Sequence, residues 1–316
     1  MEQLVSILIP VFNREKIISE TLDSALSQTY SNIEVIVVDN NSKDNTWRVI
    51  QKYAKKDKRV KAFRNETNIG PVKNWKRCID EATGEFGKIL WSDDLIVPEF
   101  LEKTLPLFTD DVGFVYSGVK IFTDIPENGI KHYFIGKSGI YSTNKFINYA
   151  LYDKGAPFSP GCAVFRLDDL KKNLLVDVPN KINSDFSMHA IGNDLLIFLL
   201  TALGYKKFGF VSESLSFFRA HDGSISESSK IGKLFLYYAL AKAYFVDEYL
   251  PTERRNFASY VQMLLWRYKD SKEYGLNQVD DFFKEPVKLS LGWFILYISK
   301  KISQYPRYGL NRIFGN

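Results

Sequence analysis

The sequence predicts an α/β fold with a mostly parallel central sheet and flanking helices, followed by a C-terminal α-helical region. Short apolar segments alternate with segments of helical periodicity over residues 5–91, which is typical of βαβ units with right-handed crossovers. Acidic residues directly follow two of these apolar segments. After residue 230 the pattern is helical throughout.

The first apolar segment, residues 5–10, reads VSILIP and is typical of a buried strand in a parallel sheet. Residues 15–28 repeat apolar side chains at helical spacing and predict the first helix. The same reasoning predicts the remaining elements: strands at 33–38, 60–63, 86–91 and 215–218, and helices at 47–53, 72–82, 234–249, 257–268 and 289–303. Because ligands of parallel sheets bind beyond the carboxyl ends of the strands, the residues there are candidates for a functional site.

The composition is that of a globular protein long enough to bury a large core. The chain has 316 residues, of which 45% are hydrophobic, 15% aromatic and 25% charged. Its two cysteines, Cys78 and Cys162, allow neither a disulfide framework nor a CxxC zinc motif. We expect a cytoplasmic protein, because the sequence shows no signal-peptide pattern and no apolar segment long enough to span a bilayer.

The residues that follow the predicted strands are acidic at two strand ends. Asp39 follows the second strand, and Asp93 and Asp94 follow the fourth. A single Asp in such a place most often closes a turn or caps a helix, but carboxylates at two strand ends favour a site. The chain has no GxGxxG, GxxxxGK[ST], GxSxG or HExxH motif, which argues against dinucleotide, P-loop, α/β-hydrolase and zinc-protease chemistry.

Several motifs, in order along the chain, resemble a known enzyme family. They are VSILIPVFN at 5–13, LSQTY at 26–30, VDNNSKDNT at 38–46, NIG at 68–70, LWSDD at 90–94, NDL at 193–195 and FRAHDGSIS at 218–226. Over residues 3–228 the sequence resembles the family 2 glycosyltransferases, which have the Rossmann-like GT-A fold. The resemblance implies transfer of a sugar from a nucleotide donor, usually with inversion, and Mn²⁺ or Mg²⁺ as the cofactor.

The resemblance also implies roles for the strand-end residues. Asp93 lies at the last acidic position of the family's metal motif, and Asp94 and His221 are further candidate ligands of a cation that prefers hard donors. Asp39 lies where the family reads the base. Its carboxylate can accept from N3–H of uracil or thymine, which favours a UDP- or dTDP-sugar, although guanine also offers donors. The other candidate nucleotide-binding residues are Pro10, Phe12, Asn13, Asn68, Asn74, Ser92 and Arg219.

Asp194 is the candidate general base that deprotonates the acceptor hydroxyl. It opens an apolar helix, where the helix dipole favours a carboxylate whether its role is catalytic or only structural. Family members usually have Glu before this Asp, and this chain has Asn193. A second departure is Trp91, which stands where the family commonly has an Asp that contacts ribose. Asp185 and Glu213 are the alternative carboxylates for the base.

The two parts of the chain differ in charge. Residues 230–316 hold 14 basic and 8 acidic residues, against 28 and 29 in the rest. We expect a nucleotide-sugar domain over 1–229 and a helical appendage over 230–316. Basic and aromatic residues alternate in 284–316, which suits either a membrane surface or a helix that packs on the catalytic domain and forms homo-oligomer contacts. The small polar residues at 223–229 favour a mobile loop over the donor.

The expected function is therefore metal-dependent, inverting transfer of a sugar to a hydroxyl of a bacterial surface-glycan acceptor, lipid-linked acceptors included. The protein would then be cytoplasmic, with peripheral contact to the inner face of the cell membrane. A catalytically inactive nucleotide-sugar or glycan-binding protein on the same fold is the alternative, motivated by Trp91 and Asn193. A sugar nucleotidyltransferase would need a glycine-rich basic loop at 10–14, which the sequence lacks. Nucleic acid is not an expected partner, because no RNA- or DNA-binding motif accompanies the basic residues.

Overall fold

The computed structural model describes residues 2–221, 223–224 and 229–304. The chain divides into two compact units. The first consists of Met1–Val176 and Ser187–Ser224, and the second of Asp177–Phe186 and Ile225–Asn316. Most of the loop expected at 223–229, and the tail at 305–316, lie outside the described residues.

A ten-stranded sheet forms the centre of the first unit, in the order β3-β2-β1-β4-β9-β6-β10-β5, with β7 beside β6 and β8 beside β10. Its strands are β1 Val5–Val11, β2 Ile33–Asp39, β3 Val60–Arg64, β4 Phe86–Ile89, β5 Leu95–Ile96, β6 Val112–Phe122, β7 Ile130–His132, β8 Gly139–Ser142, β9 Ala163–Arg166 and β10 Lys207–Arg219. Strands β1–β4, β6 and β10 run in one direction and the others oppose them, which confirms the mostly parallel sheet.

Helices flank this sheet, as the alternating pattern predicts. They are α1 Ile18–Leu26, α2 Thr46–Lys56, α3 Pro71–Asp80, α4 Phe100–Thr104, α5 Thr143–Leu151, α6 Leu167–Asn173, α7 Phe186–His189 and α8 Asn193–Gly204. Strands β1 and β2 are buried along their whole length, because helices cover both faces of a parallel sheet and every side chain is then enclosed.

Two predicted strands have different bounds in the structure. β4 ends at Ile89 rather than at residue 91, so Trp91 and the residues after it belong to the loop beyond the strand. β10 is 13 residues long instead of four. Its first part alternates apolar residues with Gly209 and exposed polar residues, and its register with β6 shifts near Ser214, so no continuous apolar run marks it in the sequence.

Five phenylalanines join α5 and α8 to the sheet. Phe114 of β6 is fully buried, and its ring centroid lies 4.9–5.6 Å from those of Phe146, Phe165, Phe198 and Phe208. Edge-to-face and offset ring pairs at these distances add about 0.5–1.5 kcal/mol each beyond the area they bury. The cluster therefore fixes α8, the helix that begins with Asn193 and Asp194.

The second unit is helical in its described part. Its helices are α9 Ile231–Tyr249, α10 Arg254–Arg267 and α11 Leu291–Gln304. Helix α11 packs on α10 through aromatic pairs such as Trp266 and Phe294, whose ring centroids are 5.3 Å apart. Within the described residues, no helix has both the length and the apolar character that a transmembrane span requires.

Truncation of the central ring of the aromatic cluster will destabilise the first unit. We expect Phe114→Ala to lower the free energy of unfolding by about 3–5 kcal/mol, because it leaves a cavity among four other rings. Urea denaturation followed by circular dichroism measures this change. The control is Ile125→Ala, which removes an exposed side chain and should stay within about 0.5 kcal/mol of the unmodified protein. Equal effects of the two changes would show that the cluster does not hold the fold.

Candidate active site

Asp39, the last residue of β2, has no exposed surface and anchors the turn that follows the strand. Its carboxylate accepts hydrogen bonds from the Ser42 backbone N–H, at 3.2 Å, and from the Ser42 hydroxyl. The Arg64 guanidinium forms an ion pair with it, with 3.0 Å between Nε and Oδ2. Because a buried carboxylate needs such partners, these contacts fix the chain beyond β2.

The loop after β1 is tied to that turn. Asn13 has a φ of +52°, and its N–H donates to the Ser42 hydroxyl oxygen at 2.9 Å. In return, the backbone N–H of Lys43 donates to the Asn13 side-chain oxygen at 2.9 Å. Pro10 lies buried within β1, whereas the Phe12 ring is partly exposed beside this loop. Asn tolerates the left-handed conformation better than most residues, which explains its place here.

Amide side chains fill the space between β2, β3 and α3. Asn65 donates to Asn40 and to Asn74, each at 2.8 Å, and Asn40 donates to Asn68 at 2.9 Å. Asn74 donates to the Val38 carbonyl oxygen at 3.0 Å, so both polar atoms of its side chain are used inside the protein. Contact of Asn68 and Asn74 with a nucleoside stays a prediction. Asn40 and Asn65 are not predicted from the sequence, because their pairing depends on two strands being adjacent in the sheet.

Asp93 lies in the loop beyond β4, next to a guanidinium and an imidazole from distant parts of the chain. Its Oδ2 lies 2.9 Å from Nε2 of His221 and 3.3 Å from Nη2 of Arg14. The His221 Nδ1 accepts from the Gly223 N–H at 3.1 Å, which assigns the ring proton to Nε2 and makes that nitrogen the donor to Asp93. Asp93 and His221 are predicted from the sequence, whereas Arg14, which lies in the loop after β1, is not.

Asp94 and Arg219, which lie beside Asp93, are bound to each other. The Arg219 N–H donates to the Asp94 carboxylate at 2.9 Å, and its Nε donates to the Asp93 carbonyl oxygen at 3.1 Å. Burial, together with the nearby charge of Asp93, raises the pKa of the Asp94 carboxyl well above its usual range. Ser92, also in this loop, is buried. No three His, Cys, Asp or Glu side chains converge on a metal position anywhere in the described ranges.

The side chains around Asp93 nonetheless fit a divalent cation that takes its remaining ligands from a substrate. A carboxylate oxygen beside an imidazole nitrogen becomes a donor pair suited to Mn²⁺ when the ring proton moves from Nε2 to Nδ1, and carboxylate alone suits Mg²⁺. The Asp93 side chain is 13% exposed, so its carboxylate is partly accessible from solvent. Asp94 binds the backbone of Arg219 instead, which makes it a support of the loop.

Asp194 is the second residue of α8 and is almost fully buried. Its Oδ1 accepts from the N–H groups of Leu195, at 2.8 Å, and Gly192, at 3.1 Å. Asn193 donates its amide to the carbonyl oxygens of Leu175 and Val176, at 2.8 and 3.2 Å. A carboxylate at position 193 would face those two carbonyl oxygens, which explains why an amide is suited to this position.

Tyr133 has two unusual properties that no sequence pattern predicts. Burial raises the pKa of its hydroxyl, and its ring centroid lies 6.4 Å from that of Phe218, near the end of β10. Its φ of +64° is unusual for an aromatic residue. Glu213, in contrast, is exposed and paired with Lys103, which gives it a surface role in this structure.

Trp91 packs against the turn before β9. Its indole N–H donates to the Ser159 hydroxyl at 2.7 Å, and its ring centroid is 4.6 Å from that of Trp75. A Cβ added at Gly161 would come within 2.9 Å of the indole nitrogen, so glycine is required there. The next residue, Cys162, has no exposed surface, and burial raises the pKa of its thiol to about 12. Cys162 is therefore an inert core residue.

Comparison with known proteins agrees with this architecture. The sequence profile described as "Glycosyl transferase family 2" matches residues 6–174. An uncharacterized glycosyltransferase of Haemophilus influenzae is 32% identical over 184 residues, which are 58% of this chain and 69% of the relative. The chain belongs to glycosyl transferase family 2.

Two further similarities bear on this family 2 glycosyltransferase. The Escherichia coli protein named "UDP-Glc:alpha-D-GlcNAc-diphosphoundecaprenol beta-1,3-glucosyltransferase WfaP" is 36% identical over 129 residues, 40% of this chain and 51% of the relative. The crystal structure of Staphylococcus aureus TarS 1-349 in complex with UDP-GlcNAc superposes with a TM-score of 0.63. That likeness covers 99% of this chain and 82% of the other at 19% identity, and it confirms the GT-A fold.

Proposed function

We propose that this family 2 glycosyltransferase moves a sugar from a UDP-sugar, or a dTDP-sugar, to a hydroxyl of a bacterial surface glycan, with inversion and with Mn²⁺ or Mg²⁺. The observation that carries the proposal is the loop after β1, which joins the two acidic strand ends. Asn13 binds Ser42 at the end of β2, and the next residue, Arg14, binds Asp93 beyond β4. The base-reading and cation-binding candidates therefore belong to one hydrogen-bonded unit.

Each group has a chemical task in this scheme. Asp93, with His221, would hold the cation, and a cation there neutralises the charge that develops on the leaving nucleoside diphosphate. Asp194 would take the proton of the acceptor hydroxyl, and the backbone N–H groups on its Oδ1 fix the direction of the carboxylate. Asp39 can contact a nucleobase only when the Arg64 side chain moves aside. That side chain is paired with the Asp39 carboxylate and is 38% exposed.

The acceptor class is supported by relatives. The name of the Escherichia coli relative gives a UDP-glucose donor and an acceptor linked to diphosphoundecaprenol. Since this chain resembles about half of that protein, the donor and the lipid-linked acceptor enter here as part of the proposal. The expected readout is a glycosylated lipid-linked saccharide, formed from a UDP-sugar in a screen of donors.

The first experiment is calorimetric titration of UDP, dTDP and GDP, each with and without Mn²⁺. We expect UDP to bind best and Mn²⁺ to tighten it, and Asp93→Ala to abolish the effect of Mn²⁺ because the cation loses its carboxylate ligand. Asp110→Ala, which removes an exposed carboxylate elsewhere in the first unit, is the matched control and should leave the effect intact. An Mn²⁺ effect that persists in Asp93→Ala would refute the ligand assignment.

The second experiment tests Asp194 as the general base. Asp194→Asn keeps the hydrogen-bond acceptor for Leu195 but loses the proton acceptor, so turnover should fall by about 10²–10⁴-fold while UDP affinity is unchanged. Glu213→Gln and Asp185→Asn are the controls and should retain activity. Turnover near the original rate in Asp194→Asn would remove Asp194 from the role of general base.

The same assays test the alternative of a catalytically inactive protein. If the unmodified protein binds UDP but neither transfers nor hydrolyses the sugar of a UDP-sugar, the inactive binding protein becomes the better description.

Contact with the membrane surface is part of the same proposal. On α11, the side chains of Leu291, Ile295 and Leu296 are 74%, 65% and 70% exposed, although the opposite face packs on α10. Beyond Glu285 the sequence holds five Lys or Arg residues and no Asp or Glu. An apolar face within a purely basic segment is complementary to an anionic bilayer, where lipid-linked acceptors lie.

Vesicle binding tests this contact. The protein should sediment with phosphatidylglycerol-rich vesicles and far less with phosphatidylcholine, and a Leu291→Ser/Ile295→Ser/Leu296→Ser variant should lose at least about tenfold in affinity. The control variant, Ile125→Ser/Ile130→Ser, alters two exposed apolar residues of the first unit and should bind as before. Equal binding of all three proteins, or dimerisation through the α11 face measured by light scattering, would overturn the membrane assignment.

A further inference from the structure

Arg14 is held at the centre of the site by four hydrogen bonds, although it lies in a loop. Its backbone N–H donates to the Thr46 hydroxyl at 2.7 Å, at the start of α2. Its guanidinium donates to the Asp93 carboxylate at 3.3 Å, to the Gly223 carbonyl oxygen at 3.1 Å and to its own neighbour, the Asn13 carbonyl oxygen, at 3.3 Å. One side chain thus links the loops that follow β1, β4 and β10.

The guanidinium nevertheless has an unused donor. The Nε–H of Arg14 is buried and has no acceptor among the described residues. A buried N–H without a partner destabilises the protein, and more so when the group is charged, so such a group is uncommon unless a ligand supplies the acceptor. The side chain as a whole is 22% exposed, which leaves it a route to solvent.

The position of this donor indicates what the missing acceptor is. Arg14 neutralises Asp93, the residue proposed above to hold the cation, so the guanidinium lies where the negative charge of a donor diphosphate would arrive. Guanidinium groups bind phosphate oxygens with two parallel hydrogen bonds, and the Nε–H with one Nη–H forms such a pair. The other strand-end cation, Arg219, already uses its N–H and Nε on Asp94 and Asp93.

We propose that Arg14 is a ligand of the donor's diphosphate, an inference that rests on the function proposed above. In the site without donor, the guanidinium balances the charge of Asp93. When a nucleoside diphosphate binds, the side chain leaves Asp93 and Gly223, and its Nε–H and Nη–H donate to the phosphate oxygens. Asp93 is thereby released for a cation, so Arg14 couples donor binding to the availability of the cation site.

Calorimetric titration of UDP into Arg14→Gln tests this role, with Mn²⁺ and again in a chelator. We expect UDP to bind about 10- to 100-fold more weakly, the loss of one charged hydrogen-bonding group, and its affinity to depend less steeply on salt concentration. A merely structural role would not change the salt dependence. Arg14→Lys keeps the charge without the Nε–H and should restore only part of the affinity. Lys16→Gln removes an exposed charge two residues away and is the matched control.

The outcomes separate this inference from the function on which it rests. UDP affinity in Arg14→Gln within about threefold of the unmodified protein, or an equal loss in Lys16→Gln, would overturn the role of Arg14. If the unmodified protein binds UDP with an Mn²⁺ effect that Asp93→Ala abolishes, the proposed function survives that failure. Absence of UDP binding in the unmodified protein would remove both proposals. Melting temperatures of all variants show whether a loss reflects unfolding, and Arg14→Lys serves as the test if Arg14→Gln does not fold.

Discussion

The arrangement of the candidate site depends on two hydrogen bonds made by the Ser42 hydroxyl. It donates to the fully buried carboxylate of Asp39 and accepts from the backbone N–H of Asn13, so one oxygen joins the ends of β2 and β1. A buried charge is tolerated only when polar partners surround it, and those partners must then stay in place. Because Arg14 directly follows Asn13, the position of the guanidinium that meets Asp93 derives from the same contact.

Local patterns predict the first four strands and three helices because each element is buried by its own periodic side chains. The structure moves their ends by a few residues, as at Ile89, where β4 stops before Trp91. β10 could not be predicted in full, because its mixed sequence has no clear strand pattern. Its pairing with β6 on one side and with β5 and β8 on the other supplies the hydrogen bonds that make it a strand. Membership of 177–186 in the second unit is likewise a tertiary property.

The site shows the same division between local and tertiary information. The positions of Asp39 and Asp93 near strand ends are predictable because the apolar segments before them are visible in the sequence, and their roles stay predictions. The contact of Asp93 with His221 joins residues 128 positions apart, and only the likeness to a family suggested it. The contacts of Arg14 and Asn65 could not be predicted, because the fold supplies the neighbours that make them.

The charges around β4 explain how the loop tolerates Trp91 at a position where the resemblance to the family implies a carboxylate. A third acid beside Asp93 and Asp94 would add repulsion in a region where burial and the neighbouring charge already raise the pKa of Asp94. Lys88 offers little compensation, because burial lowers its pKa to about 7 and its ammonium donates to the carbonyl oxygens of Ile89 and Gly161. With an uncharged indole at position 91, the Arg14 and Arg219 side chains meet a loop that carries only two carboxyl groups. Under the proposed function, a diphosphate that binds at this loop would therefore need either an added cation or a side chain that changes partner.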